Sequence, residues 1–194
     1  METDSDVIAR SRDDPSAFGI LFDRHAASIH RYVARRTSSA VADDVMAETF
    51  LVAFERRETF RSGYTDAAPW LFGIATNLLR RHRRQEVRAL RAMARIGQQQ
   101  TEPLGSSEDS TEADARLDAM SALRDVGEAL RRLPQVQRDT VLLHAWAELT
   151  YDQIATAMDV PIGTVRSRLN RARKILRSST SPSTAHLLTG EIHG

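Results

Sequence analysis

Apolar residues along this chain recur at intervals of three and four, and no stretch alternates convincingly with period two. That spacing predicts helices and little or no sheet. Asp14-Pro15-Ser16 opens one helix, whose apolar residues are Phe18, Leu21, Phe22, Ile29, Tyr32 and Val33. A second runs from about Val41 to Glu58 and aligns Met46, Phe50, Ala53 and Phe54. A third starts at Pro69 and gathers Leu71, Ile74, Ala75 and Leu78. Farther on, one helix ends near Leu133-Pro134 and another spans Gln135 to Glu148.

Leu149 to Leu176 is the most telling stretch. It reads as a short helix, a tight turn and a longer basic helix. Thr150 can cap the first helix, because its hydroxyl accepts an otherwise orphaned backbone N–H. Ile154, Ala155 and Met158 form the inner face, and the small Ala155 lets a second helix cross close by. Asp159-Val160 makes the turn, since Asp tolerates a left-handed backbone. Pro161 suits the first position of the next helix, where its missing N–H costs nothing. Val165, Leu169, Ala172 and Leu176 then face inward. The outer face carries Arg166, Ser167, Asn170, Arg171, Arg173 and Lys174. A basic helix following a short helix and turn fits the DNA major groove.

Composition narrows the class. Hydrophobic residues make up 41% of the 194, enough for real cores. There is no cysteine, which excludes a disulfide framework, thiolate chemistry and Cys-based zinc sites. No apolar run approaches the ~20 residues needed to span a bilayer. The N-terminal METDSDVIARSRDD is polar, unlike a signal peptide. A soluble cytoplasmic protein is expected, with no membrane insertion.

The net charge is only +1, but it is unevenly spread. Arg80 to Arg95 holds seven Arg against Glu86 alone. Residues 97–115 hold five acids and no base, with Pro103, two Gly and three Ser. This composition predicts a flexible acidic linker between two folded units. The organisation expected is a helical domain at 1–96, the linker at 97–115, a helix-turn-helix domain at 116–177 and a disordered tail at 178–194. The fold class is therefore all-α, two small helical domains joined by a flexible linker.

No catalytic constellation is present. The six His are scattered, with no Gly-rich phosphate loop and no nucleophile elbow. Asp43 and Asp44 with Glu48 could in principle hold a divalent cation, but two adjacent acids at a helix start are far more often dipole-matched surface charge or partner contacts. No enzyme activity, metal or cofactor is expected.

Three blocks carry a resemblance. ADDVMAETFLVAFERRETFR (Ala42 to Arg61), PWLFGIATNLLRRHRR (Pro69 to Arg84) and LPQVQRDTVLLHAWAELTYDQIATAMDVPIGTVRSRLNRARKIL (Leu133 to Leu176) resemble regions 2.2, 2.3–2.4 and 4 of bacterial extracytoplasmic-function (ECF) sigma factors. Together, in this order, they cover most of the chain outside linker and tail.

The resemblance implies partners and sites. Core RNA polymerase is the main partner, through its β′ clamp helices and β flap. Promoter DNA and an anti-sigma factor are the others. Asp43, Asp44, Glu48 and Phe50 match the polymerase-docking helix, although Phe50 fits the apolar stripe equally well. Ala47 stands where the family usually has Gln. The downstream promoter element is melted and held by a loop and helix matching Ser62, Tyr64, Asp66 and Asn77. Trp70 fits the core better than a base stack. Arg80, Arg81, Arg83 and Arg84 match a phosphate-binding patch. The upstream element is read by Arg166, Ser167, Asn170 and Arg171, with Arg173 and Lys174 beside them. The alternatives are a stand-alone helix-turn-helix regulator that never joins polymerase, and a helical adaptor whose basic faces meet an acidic protein.

Overall fold

A computed structural model of the chain describes residues 2–60, 64–96 and 127–179. Ser62, the predicted linker, and the predicted tail beyond Ser179 lie outside the described residues. Among the described residues every regular element is helical.

Helix α1, Asp4–Arg10, escapes a periodicity search because it is short, with Val7 and Ile8 adjacent. Both are buried, and a Thr3–Asp6 capping box starts the helix. Asp14 then accepts from the Ser16 amide and caps a 3-10 turn, Pro15–Phe18, that leads into α2, Gly19–Ala34. Leu21, Ile29, Tyr32 and Val33 of α2 are buried as expected, but Phe22 is 42% exposed. Helix α3 spans Ser39–Glu55 and ends in a second 3-10 turn, Arg57–Thr59.

Helix α4 runs from Ala68 to Ile96, 29 residues and about 43 Å at 1.5 Å per residue. Its first half buries Leu71, Phe72, Ala75, Leu78 and Leu79 against α2 and α3. Its second half is the Arg-rich stretch, exposed beyond His82 as far as its side chains are described.

The C-terminal unit begins with α5 at residues 127–132. Then come α6 (Gln135–Ala145), α7 (Tyr151–Met158) and α8 (Ile162–Ser179). Helix α6 stops three residues short of the predicted Glu148, which sits at φ 56. Helix α8 runs two residues into the predicted tail. Pro161 precedes α8 rather than opening it, and its carbonyl accepts from Thr164 and Val165.

The two helical units are packed together. One apolar core runs from Val7 and Leu21 through Leu71 and Phe72 to Leu143, Ile154 and Val165. Among the described residues, a small second cluster, Ala129, Leu133, Ala172 and Leu176, is private to the C-terminal unit. Helix α7 lies on α4 so closely that a Cβ at Gly73 would overlap the Ala157 carbonyl. The absent side chain is what lets the two backbones meet.

Candidate nucleic-acid and polymerase interfaces

The helix-turn-helix forms from local rules. The Thr150 hydroxyl accepts from the Gln153 amide, and the Gln153 side chain accepts from the Thr150 amide. Asp159 takes the left-handed conformation, φ 50 and ψ 54, and the Val160 amide reaches the Ala155 carbonyl at 3.0 Å. Val165, Leu169, Ala172 and Leu176 are all buried. That pins the opposite face outward. Arg166, Asn170, Arg171 and Lys174 are exposed and Ser167 half-buried. Arg173 differs from them. Its guanidinium donates to the Tyr151 hydroxyl at 3.1 Å, bracing α8 against α7, and to the Asn170 amide oxygen at 3.4 Å.

On α4, Asn77 is exposed one turn beyond Gly73 and Ile74. Tyr64 is 38% exposed, and Trp70 is half-buried with its ring 5.2 Å from that of Phe60. Asp66 is not a free acceptor. One oxygen accepts from the Ala68 amide at the start of α4, the other from Gln153 of α7. Tyr64, Trp70 and Asn77 line one wall of a cleft of about 880 Å³. Asp152, Thr156 and Pro161 of the helix-turn-helix line the other.

The four predicted phosphate arginines separate into two pairs. Arg83 and Arg84 are exposed. Arg80 donates its Nε to Asp139 of α6 at 2.7 Å, and Arg81 pairs with Glu48 of α3. A cation expected at DNA and an acid expected at polymerase thus pair with one another. Sequence analysis missed Asp139, which is fully buried and also holds Arg36. Its only sequence signal is an acid placed among the apolar positions of α6.

Of the acids expected at polymerase, Asp44 is exposed and Asp43 lies 3.1 Å from His30. Phe50 belongs to the core instead. It is 6% exposed and packs edge-on against Phe22 at 4.9 Å. Leu51, on the same helix as the acids, is 57% exposed, and Phe22, which packs on Phe50, is 42% exposed.

A further polar cluster joins three distant segments: Asp4, His25 and Asp66 bring their ligand atoms within 4.8 Å of one another. Asp4 accepts from Arg24 at 2.8 Å and from the Ala67 amide at 2.9 Å, and meets His25 at 2.6 Å. Protein groups therefore engage every oxygen of both carboxylates. The cluster acts as a staple that holds α1 and α2 to the start of α4. Burial works to raise the Asp4 pKa, but the Ala67 amide, Arg24 and His25 outweigh it and hold it below the usual carboxylate range.

The chain matches two protein families, Sigma-70 region 2 over residues 21–89 and Sigma-70, region 4 over residues 123–176. It is 34% identical over 160 residues to the ECF RNA polymerase sigma factor SigL of Mycobacterium tuberculosis, covering 81% of this chain and 85% of that one. The chain belongs to the ECF sigma factors. The ECF RNA polymerase sigma-E factor of Escherichia coli is 28% identical over 197 residues, covering 93% of this chain and 95% of its own. Two solved structures share the fold of this sigma factor. One is CnrH in complex with the cytosolic domain of CnrY, with TM-score 0.59, 21% identity, and coverage of 90% and 95%. The other is the sigma factor RpoE with the anti-sigma factor NepR from Bartonella quintana, with TM-score 0.57, 22% identity, and coverage of 83% and 94%. As a sigma factor, the chain directs transcription initiation with RNA polymerase. No helix of the described residues is long and apolar enough to cross a membrane.

Proposed function

We propose that α8 reads the upstream promoter element and that the first half of α4 holds the melted downstream element, within the domain limits given above. The observation that carries this reading is the outer face of α8. Arg166, Asn170, Arg171 and Lys174 are exposed there, with no acid paired to them among the described residues. An arginine in the major groove can bond both acceptors on a guanine edge. Ser167 lies beside them, while Arg173 holds the helix in place.

At the downstream element, Asn77 and Tyr64 supply hydrogen bonding and a stacking ring for a base taken out of the duplex. Ser62 joins them from the preceding loop, and Asp66 shapes the pocket by capping α4. Arg83 and Arg84 contact phosphate, joined by Arg80 and Arg81 once their acids withdraw. Asp43, Asp44 and Glu48 dock on the basic β′ clamp helices, with Leu51 and Phe22 supplying the apolar part in place of Phe50. The C-terminal unit meets the β flap. The site of action is the cytoplasm. An anti-sigma factor regulates the chain, a reading supported by the fold neighbour solved with NepR.

Run-off transcription with core polymerase on a promoter library tests the proposal. Transcripts should share two sequence elements at fixed spacing. A chain that neither co-elutes with core enzyme nor yields run-off product, yet shifts duplex DNA alone, would be a stand-alone regulator instead.

A further inference from the structure

We propose that Asp139 is an internal substitute for DNA phosphate. It latches the two helical units together by occupying Arg36 and Arg80, and releases them to DNA when the units part. The inference rests on the proposed role of α4 in promoter binding.

The latch joins residues far apart in the chain. Asp139 of α6 is fully buried. One of its oxygens takes a guanidinium N–H of Arg36, at the end of α2, and the other takes Nε of Arg80 at 2.7 Å. Arg36 also donates to the Tyr32 hydroxyl at 2.6 Å, which meets the Thr76 hydroxyl at 3.0 Å. A polar chain therefore runs from Thr76 of α4 through α2 into α6. Arg138 adds to the positive charge. Burial and the neighbouring Arg83 and Arg36 lower its pKa. Asp139 is the anion among these guanidiniums.

The latch is built to release. Arg80 leaves its second terminal nitrogen buried without an acceptor. An unmade buried hydrogen bond favours the state in which that N–H finds one. Water supplies an acceptor, and phosphate supplies two in the geometry a guanidinium prefers. A buried ion pair gains little over its solvated partners, whereas removal of one partner leaves uncompensated charge behind. Closure is thus conditional on the carboxylate.

Closure also covers the candidate base pocket. With Gly73 against Ala157, α7 and the turn after it form the wall opposite Asn77. Thr156 reaches the Tyr64 hydroxyl at 3.4 Å, and Gln153 reaches Asp66 at 3.4 Å. A strand entering the cleft beside Asn77 must fit between α4 and the helix-turn-helix.

The test uses the full chain without polymerase, as wild type, Asp139→Asn and Gly73→Ala. Asp139→Asn removes the charge and keeps the shape. Gly73→Ala drives α7 off α4 while sparing every charged group and favouring helix in α4. Small-angle scattering should show a larger radius of gyration for both. Asp139→Asn should bind promoter duplex about tenfold more tightly than wild type, and Arg80→Ala in the same chain should abolish that gain. Unchanged radius and unchanged affinity in both variants would overturn the latch. Expansion without the Arg80-dependent gain would overturn the phosphate substitution. If circular dichroism shows that Asp139→Asn has lost helix, Gly73→Ala decides on the same two readouts. Wild-type chain that gives no run-off product with core polymerase would instead overturn the proposed function, independently of the radii.

Discussion

Helices α4 and α8 are both long and arginine-rich, yet their charges are in different states. On α8 the outward cations are exposed and lack acidic partners among the described residues, because Val165, Leu169, Ala172 and Leu176 hold the opposite face in the core. On α4, Arg80 is tied to Asp139 and Arg81 to Glu48, while Arg83 and Arg84 are exposed. The partners of Arg80 and Arg81 are 59 and 33 residues away in the chain. A run of arginines therefore states a capacity for phosphate, and the tertiary neighbours decide how much of it is available. The outer face of α8 stands open to a partner whether or not the two units are packed together. The face of α4 is partly conditional on the two units being packed together.

The largest expected effect comes from Asp44→Arg with Glu48→Arg. It reverses the proposed docking charge and turns the partner of Arg81 into a repelling neighbour. Loss of a hydrogen-bonded charge pair at an interface costs about 2–5 kcal/mol, so co-elution with core polymerase should disappear. Duplex contacts made by α8 alone should persist. Retained co-elution would remove α3 from the polymerase interface.

Next in size is Arg171→Ala on α8. If Arg171 reads a guanine, transcription should lose about 1–3 kcal/mol of discrimination at one upstream base pair. Equal weakening on every upstream sequence would move Arg171 to the phosphate class and make α8 resemble α4.

Asp4→Asn should loosen the start of α4 and leave α8 alone. The carboxylate holds the Ala67 amide, Arg24 and His25, and loss of such charged hydrogen bonds costs on the order of 1.5 kcal/mol. Hydrogen exchange should quicken in α1 and the first turn of α4. The folded Asp4 carboxyl titrates below its unfolded value. Its stabilisation is therefore complete above the ordinary carboxylate range and fades as pH falls through the depressed folded value. The wild-type advantage over the variant should vanish in strong acid; an advantage that persists there would argue against the staple.

The smallest effect is expected for Arg84→Ala. One phosphate contact fewer should lower the salt slope of promoter-complex binding by about 1, with no change in sequence preference. A change in preference would show that α4 also reads bases in the duplex.

The helix-turn-helix was legible down to particular residues. Thr150, Asp159 and the inward row Val165, Leu169, Ala172 and Leu176 all occupy the expected states. Capping, left-handed turns and helical amphipathicity are decided within a few residues, so local sequence carries them. Phe50 shows where that reasoning ends. An aromatic on a helix that is apolar around much of its circumference is core or contact depending on what packs against it, and here Phe22 does. Helix α1 was missed for a related reason, since two adjacent apolar residues form no period.

What the sequence by itself determined is the all-helical class, the helix-turn-helix and the family motifs, each encoded over short distances. What only the tertiary structure decided is which side chains are available. The pairing of Arg80 with Asp139, the meeting of Gly73 with Ala157 and the joining of Asp4, His25 and Asp66 depend on packing between distant segments. Burial and charge pairing are properties of neighbours in space, and a chain lists its residues without naming those neighbours.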